Sequence, residues 1–133
     1  MLDLLALKRP ASPNTYLIAP QGFAGPPPDE PAPEFRLAAP ALYELARRIA
    51  LSEARTTLLE DAPQILAFEV RQRTWFWQFP DHITIAALPL GDSRASLALY
   101  SRSRYGYSDF GVNRRRAKRW LRQIAAAATP IRS

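Results

Sequence analysis

The sequence predicts an α+β domain: an antiparallel sheet of about four strands, two helices packed on one of its faces, and a proline-rich N-terminal arm. Three observations carry that prediction. Apolar residues recur at helical spacing after Pro40 and again after Asn113, residues alternate with period two between Thr56 and Arg102, and nine of the thirteen prolines fall within the first 40 residues.

The arm comes first. Pro26, Pro27 and Pro28 sit inside Gly25 to Pro33, where fixed φ values and missing N–H donors favour extended chain over helix or central strand. Asn14 to Ala19 is the exception, since Tyr16, Leu17 and Ile18 suit a short strand or a pin that fastens the arm. This organisation divides the chain into an arm over 1–39, a single domain over 40–128 and a tail over 129–133.

Pro40 suits the first turn of a helix, and Leu42, Leu45, Ala46 and Ile49 form its apolar stripe. Beyond Arg55 the period changes. Thr56 to Glu60 and Ile65 to Arg73 read as strands joined by a turn at Asp61-Ala62-Pro63-Gln64. In the second, Leu66, Phe68 and Val70 face one way while Glu69, Arg71 and Arg73 face the other, as in a sheet covered on one side. The aromatic run Trp75, Phe76, Trp77 and Phe79 is expected to end or bend at Pro80. His82 to Leu88 and Arg94 to Arg102 follow as strands across Gly91-Asp92, with Ile83, Ile85, Ala87, Ala95, Leu97 and Leu99 inward. Asn113 is the expected N-cap of the last helix. Ala117, Trp120, Leu121, Ile124 and Ala125 make its apolar stripe, and Arg115, Lys118, Arg119 and Arg122 its cationic face.

Charge is distributed unevenly. Ten of the eighteen Arg and Lys residues lie between Arg94 and Ser133 against one acid, Asp109, so the net +6 of the chain comes from its C-terminal part. Such a field attracts phosphates, anionic head groups or an acidic protein face, and also aids solubility. The sequence contains no cysteine, which excludes disulfides, thiolate nucleophiles and cysteine-based metal centres. His82 is the only histidine, and no carboxylate spacing matches a metal site or calcium loop. No catalytic residue, metal ligand or cofactor is assigned. No run is long and apolar enough to span a bilayer and the first residues lack signal-peptide features, so a cytoplasmic or peripherally membrane-associated protein is expected.

The chemistry-bearing stretch is Ser101-Arg102-Ser103-Arg104-Tyr105-Gly106-Tyr107-Ser108-Asp109-Phe110-Gly111-Val112-Asn113-Arg114-Arg115-Arg116. Alternation puts Arg102 and Arg104 on one face of a strand end, glycines permit a tight connection, and a helix begins at Asn113. Guanidinium groups converging on a helix N-terminus would form an anion-binding corner of Arg102, Arg104, Asn113 and Arg114, supported by Asp81, Ser101, Ser103, Tyr107 and Asp109. The alternative is structural: Asp81 and Asp109 neutralise the arginines while Tyr105, Tyr107 and Phe110 fill the junction between sheet and helix. Arg104-Tyr105-Gly106-Tyr107 lacks the glycine directly after the basic residue that the RNA-recognition strand needs, and the element order is wrong for that fold, so specific nucleic-acid binding is not expected.

The string from Ser101 to Arg114, with Arg116 and Trp120-Leu121, closely resembles the C-terminal signature of the bacterial domain-of-unknown-function family 1499. Phe79-Pro80-Asp81 ahead of a strand and the early Asn14-Thr15-Tyr16-Leu17 are similar to other family elements, so the resemblance runs from about Asn14 to Ile124. It implies no activity, cofactor or catalytic residue, but it marks the signature as the functional surface. Two departures stand out. Many members begin with an apolar anchor, for which Met1 to Leu7 is too short, and members often place two acids where Asp81 is followed here by His82.

The leading expectation is a non-catalytic binding or scaffold module whose cationic corner meets an anionic ligand, a membrane surface or an acidic protein. A second is an enzyme on a phosphorylated or acidic small molecule, with Asp81, His82 or Asp109 as acid or base. A third is a structural subunit of a larger assembly, suggested by the Trp75, Phe76 and Trp77 cluster and the proline arm.

Overall fold

A computed structural model of the chain describes residues 3–7, 9, 14–75, 78–103 and 110–128. The elements are β1 (Thr15–Ala19), β2 (Glu30–Pro31), α1 (Ala39–Ser52), β3 (Thr56–Ala62), β4 (Ala67–Arg73), β5 (Pro80–Gly91), β6 (Arg94–Ser103) and α2 (Val112–Ala127). The α+β class holds, but the sheet is larger than expected. Six strands run in the order β2-β1-β6-β5-β4-β3, and the β1–β2 pair is parallel while the rest are antiparallel, so the sheet is mixed.

The two added strands come from the region that composition assigns to the arm. Tyr16, Leu17 and Ile18 pair with Ser101, Tyr100 and Leu99, which brings the beginning of the chain against its last strand. Proline density reports missing donors, yet β1 itself holds no proline, and the short β2 ends at Pro31 on the sheet edge where a donor is not needed.

Both helices pack on one face. Leu42, Leu45 and Ala46 of α1 and Ala117, Trp120 and Ile124 of α2 meet Phe68, Val70, Ile83, Ile85, Leu97 and Leu99 in a single core. Pro40 does lie in the first turn of α1. The opposite face is not bare: Leu4, Leu17, Ala19, Ala98 and Tyr100 form a second, smaller apolar cluster.

Other local expectations shift. Leu66 leaves strand geometry at φ 55 after a 3-10 turn at Pro63–Ile65, so the regular alternation starts at Ala67. Pro80 begins β5 and pairs with Arg73. Asn113 is not the N-cap of α2. Gly111 holds that position at φ 82, and Asn113 lies one residue inside the helix, fully buried.

Candidate functional site: an arginine-lined cleft beside a buried arginine network

β6 alternates, so Ser101 and Ser103 face α2 while Arg102 faces the other way. Gln72, Asp81 and Ser103 form one cross-strand row on the helix side, through the register Gln72 to Asp81 and Asp81 to Ser103. One turn of α2 places Asn113 and Arg116, three residues apart, directly over that row.

Arg116 occupies the centre. Its Nε donates to Gln72 Oε1 at 2.5 Å, Nη1 to Asn113 Oδ1 at 2.9 Å and Ser101 Oγ at 3.1 Å, and Nη2 to Asp81 Oδ2 at 2.7 Å. Asn113 accepts a further bond from Ser101 Oγ at 2.6 Å and donates to Ser103 Oγ and the Asn14 carbonyl. Arg116 is 4% exposed and Asp81 1%. A charge so deeply buried persists only when paired and hydrogen-bonded, and here Asp81 pairs it and four of its N–H groups are bonded.

Among the described residues, the members of the predicted corner are therefore not brought together. Asn113, Asp81, Ser101 and Ser103 belong to this internal network on the helix side. Arg102 lies on the opposite face, where Nη2 meets Glu69 Oε1 at 3.3 Å, Nη1 reaches Thr84 Oγ1 at 3.4 Å, and the guanidinium stands 5.8 Å from the Tyr100 ring centroid. His82 shares that face, 3.9 Å from Glu69 Oε2, so Asp81 and His82 point to opposite sides of the sheet. Asp81, bonded to Arg116 and out of contact with solvent, is removed from the acid–base candidates. Arg104, Tyr107 and Asp109 lie outside the described residues. Arg114 is exposed on α2.

The cationic helix face divides around the buried stripe. Lys118 turns to one flank and pairs with Glu30 at 3.0 Å, where Tyr16 also donates to Glu30. Burial and that carboxylate raise the Tyr16 hydroxyl to about 12. Arg115 and Arg119, four residues apart, turn to the other flank. Arg122 is exposed farther along the helix.

On the second flank lies a cleft of about 230 Å³ between the first turns of α2 and the ends of β3 and β4, bordered by Arg55, Arg73, Trp75, Arg115, Arg116 and Arg119. Two of these arginines are matched by acids, Arg116 by Asp81 and Arg119 by Glu53 at 2.8 Å. The other three are held by carbonyls instead. Arg55 donates to Arg73 O at 3.1 Å, Arg73 to Gln78 O at 3.1 Å, and Arg115 to Phe110 O at 3.0 Å. Among the described residues no carboxylate pairs with any of the three. A carbonyl orients a guanidinium without cancelling its charge. The turns that supply this geometry carry positive φ at Arg55, Gln78, Phe110 and Gly111, a backbone state costing about 1–2 kcal/mol at each residue other than glycine.

Sequence reasoning missed Arg55, Arg73 and the central part played by Arg116, and it singled out Trp75 as part of an assembly surface rather than as a wall of this cleft. For Arg116 a signal existed: it is three residues from Asn113 and four from Trp120, so the apolar stripe of α2 extends back through it. For the cleft no local signal exists, because its walls come from three separated segments.

These features define an α+β domain with a mixed six-stranded sheet, both helices on one face, and a cationic cleft at the N-terminal end of the last helix. A family model described as "Protein of unknown function (DUF1499)" matches residues 8–124, and the chain belongs to that family. No curated protein matches the sequence. Among solved structures the chain is similar to the di-domain ARO/CYC BexL from the BE-7585A biosynthetic pathway, at 13% identity and a TM-score of 0.52 over 71% of this chain. It spans 43% of that chain, and at this identity the likeness concerns the fold alone.

Proposed function

We propose that the protein is a non-catalytic binding module whose cleft between α2 and the β3–β4 end accepts an anionic group of its partner. One observation carries the reading: Arg55, Arg73 and Arg115 border a single cleft, each held in place by a backbone carbonyl and none paired with a carboxylate among the described residues. Three such charges, preorganised beside a helix whose first turn contains no acid, favour a phosphate or carboxylate through charge-assisted hydrogen bonds. Among the described residues no helix is long and apolar enough to cross a membrane. A cytoplasmic or peripherally membrane-associated location fits the proposal.

The test is a titration with inorganic phosphate and pyrophosphate at low ionic strength, followed by calorimetry, on wild type and an Arg73→Ala, Arg115→Ala double variant. Both side chains are exposed, so the variant keeps the fold. Its affinity is expected to fall at least about tenfold, given roughly 1.5 kcal/mol or more for each charge-assisted bond lost. Equal affinity of the two proteins overturns the proposal.

A further inference from the structure

Around the cleft stand side chains that an anion site does not need. Trp75 is 74% exposed, Phe79 49% and Phe110 87%, and these are all the exposed aromatic residues among the described ones. The remaining described aromatics are buried or partly buried in the domain. Trp75 and Phe79 sit on the turn between β4 and β5, which Thr74 closes by exchanging bonds with Phe79. Phe110 lies on the turn ahead of α2, and its carbonyl holds Arg115. Two turns that adjoin the cleft, one through Thr74 and Trp75 and the other through Arg115, thus present aromatic side chains to solvent.

Exposure of this extent keeps apolar ring area in water that docking on a partner would remove. Their position on protruding turns suits a soft planar partner better than a pocketed one. Tryptophan and phenylalanine settle at the level of lipid head groups, and arginine at that depth meets phosphate oxygens. Among the described residues no acid pairs with the three arginines to repel an anionic surface.

We infer that this end of the molecule docks on an anionic lipid bilayer, with Arg55, Arg73 and Arg115 against lipid phosphates and Trp75, Phe79 and Phe110 entering the head-group layer. The inference rests on the cleft reading above and names its partner. Docking places the β4–β5 turn and the start of α2 downward and holds the sheet upright over the membrane.

The experiment is vesicle co-sedimentation of the full chain, using phosphatidylglycerol mixed with phosphatidylcholine, and phosphatidylcholine alone, with the inorganic phosphate titration run in parallel. Three proteins are compared: wild type, Arg73→Ala with Arg115→Ala, and Trp75→Ala with Phe110→Asn. Wild type is expected to bind only the anionic vesicles. The arginine variant loses about fivefold in partitioning for each charge. The aromatic variant loses vesicle binding several-fold yet keeps its phosphate affinity, a separation that a purely ionic site does not produce. Phosphate binding without vesicle binding overturns the bilayer and leaves the cleft reading intact. Loss of both removes both. Vesicle binding that the aromatic variant retains in full also overturns the bilayer as partner. Unchanged circular dichroism melting of both variants, whose altered side chains are all exposed, excludes misfolding as the cause.

Discussion

Arg116 has every described polar contact of its guanidinium directed inward, and its partners come from β4, β5, β6 and α2. It acts as a bolt between helix and sheet. Replacing it with methionine leaves Asp81 buried without its counter-charge, and stability is expected to fall by about 3–5 kcal/mol in urea denaturation. Exchanging Asp81 for leucine in the same protein should recover part of that loss, because the stranded charge is then gone. Tyrosine chemistry gives a pH prediction at the same scale. Burial comes first and a neighbouring carboxylate second in raising the hydroxyls of Tyr16, beside Glu30, and Tyr43, beside Asp61, to about 12 from 10.0. Tyr100 is also raised, by burial. Between pH 10 and 12 the unfolded chain has released protons that the folded protein still holds, so stability is full below pH 10 and declines as pH rises toward 12. Tyrosinate absorbance should show Tyr16 and Tyr43 ionising late, with the denaturation midpoint falling over the same interval.

At the scale of elements, α2 carries the most consequences. It starts from a left-handed glycine, has no side-chain cap, and opens with Arg114, Arg115 and Arg116 where the helix dipole disfavours cations. That start is tolerated because Arg116 is paired inside the fold and Arg115 is tied to the Phe110 carbonyl. Gly111→Ala would force a Cβ into positive φ and place it 3.0 Å from Arg115 Nη1. The variant should lose about 1–2 kcal/mol in thermal denaturation and weaken phosphate binding, since Arg115 must move. The elements themselves were mostly readable. Period-two alternation marks β4, β5 and β6 because one face of each meets apolar helices, as Phe68, Ile85 and Leu97 illustrate. The helix N-cap was misread because asparagine at a boundary is favoured as a cap. Here it is buried for the polar network, while glycine takes the turn.

For the molecule as a whole, the pairing of β1 with β6 brings the first strand against the last and extends the sheet on that side, with β2 as its edge. Leu17, Ile18 and Ala19 are fully buried, so the N-terminal region is structural rather than an appendage. Leu17→Ala should cost about 2–5 kcal/mol in denaturant unfolding, and deletion of residues 1–19 should strip β6 of its β1 partner, leave that edge open and the protein aggregated. If the region were only an arm, both changes would be nearly silent. The same architecture gathers the β4–β5 turn, the start of β3 and the start of α2 at one end. Arg55, Arg73 and Arg115 meet there, although the chain separates them by 18 and then 42 positions.

By itself the sequence determined the α+β class, the two helices and their core stripes, the positions of four strands, and the cationic bias of the C-terminal part. All of these follow from local periodicity and composition, which act between near neighbours. Which arginines are neutralised and which remain charged was decided only by the tertiary structure. Arg102 and Arg116 lie within one basic segment, yet strand alternation sends one to Glu69 and helix phase sends the other to Asp81. Charge compensation depends on distances across strands and between sheet and helix, and those distances exist only once the sheet has closed.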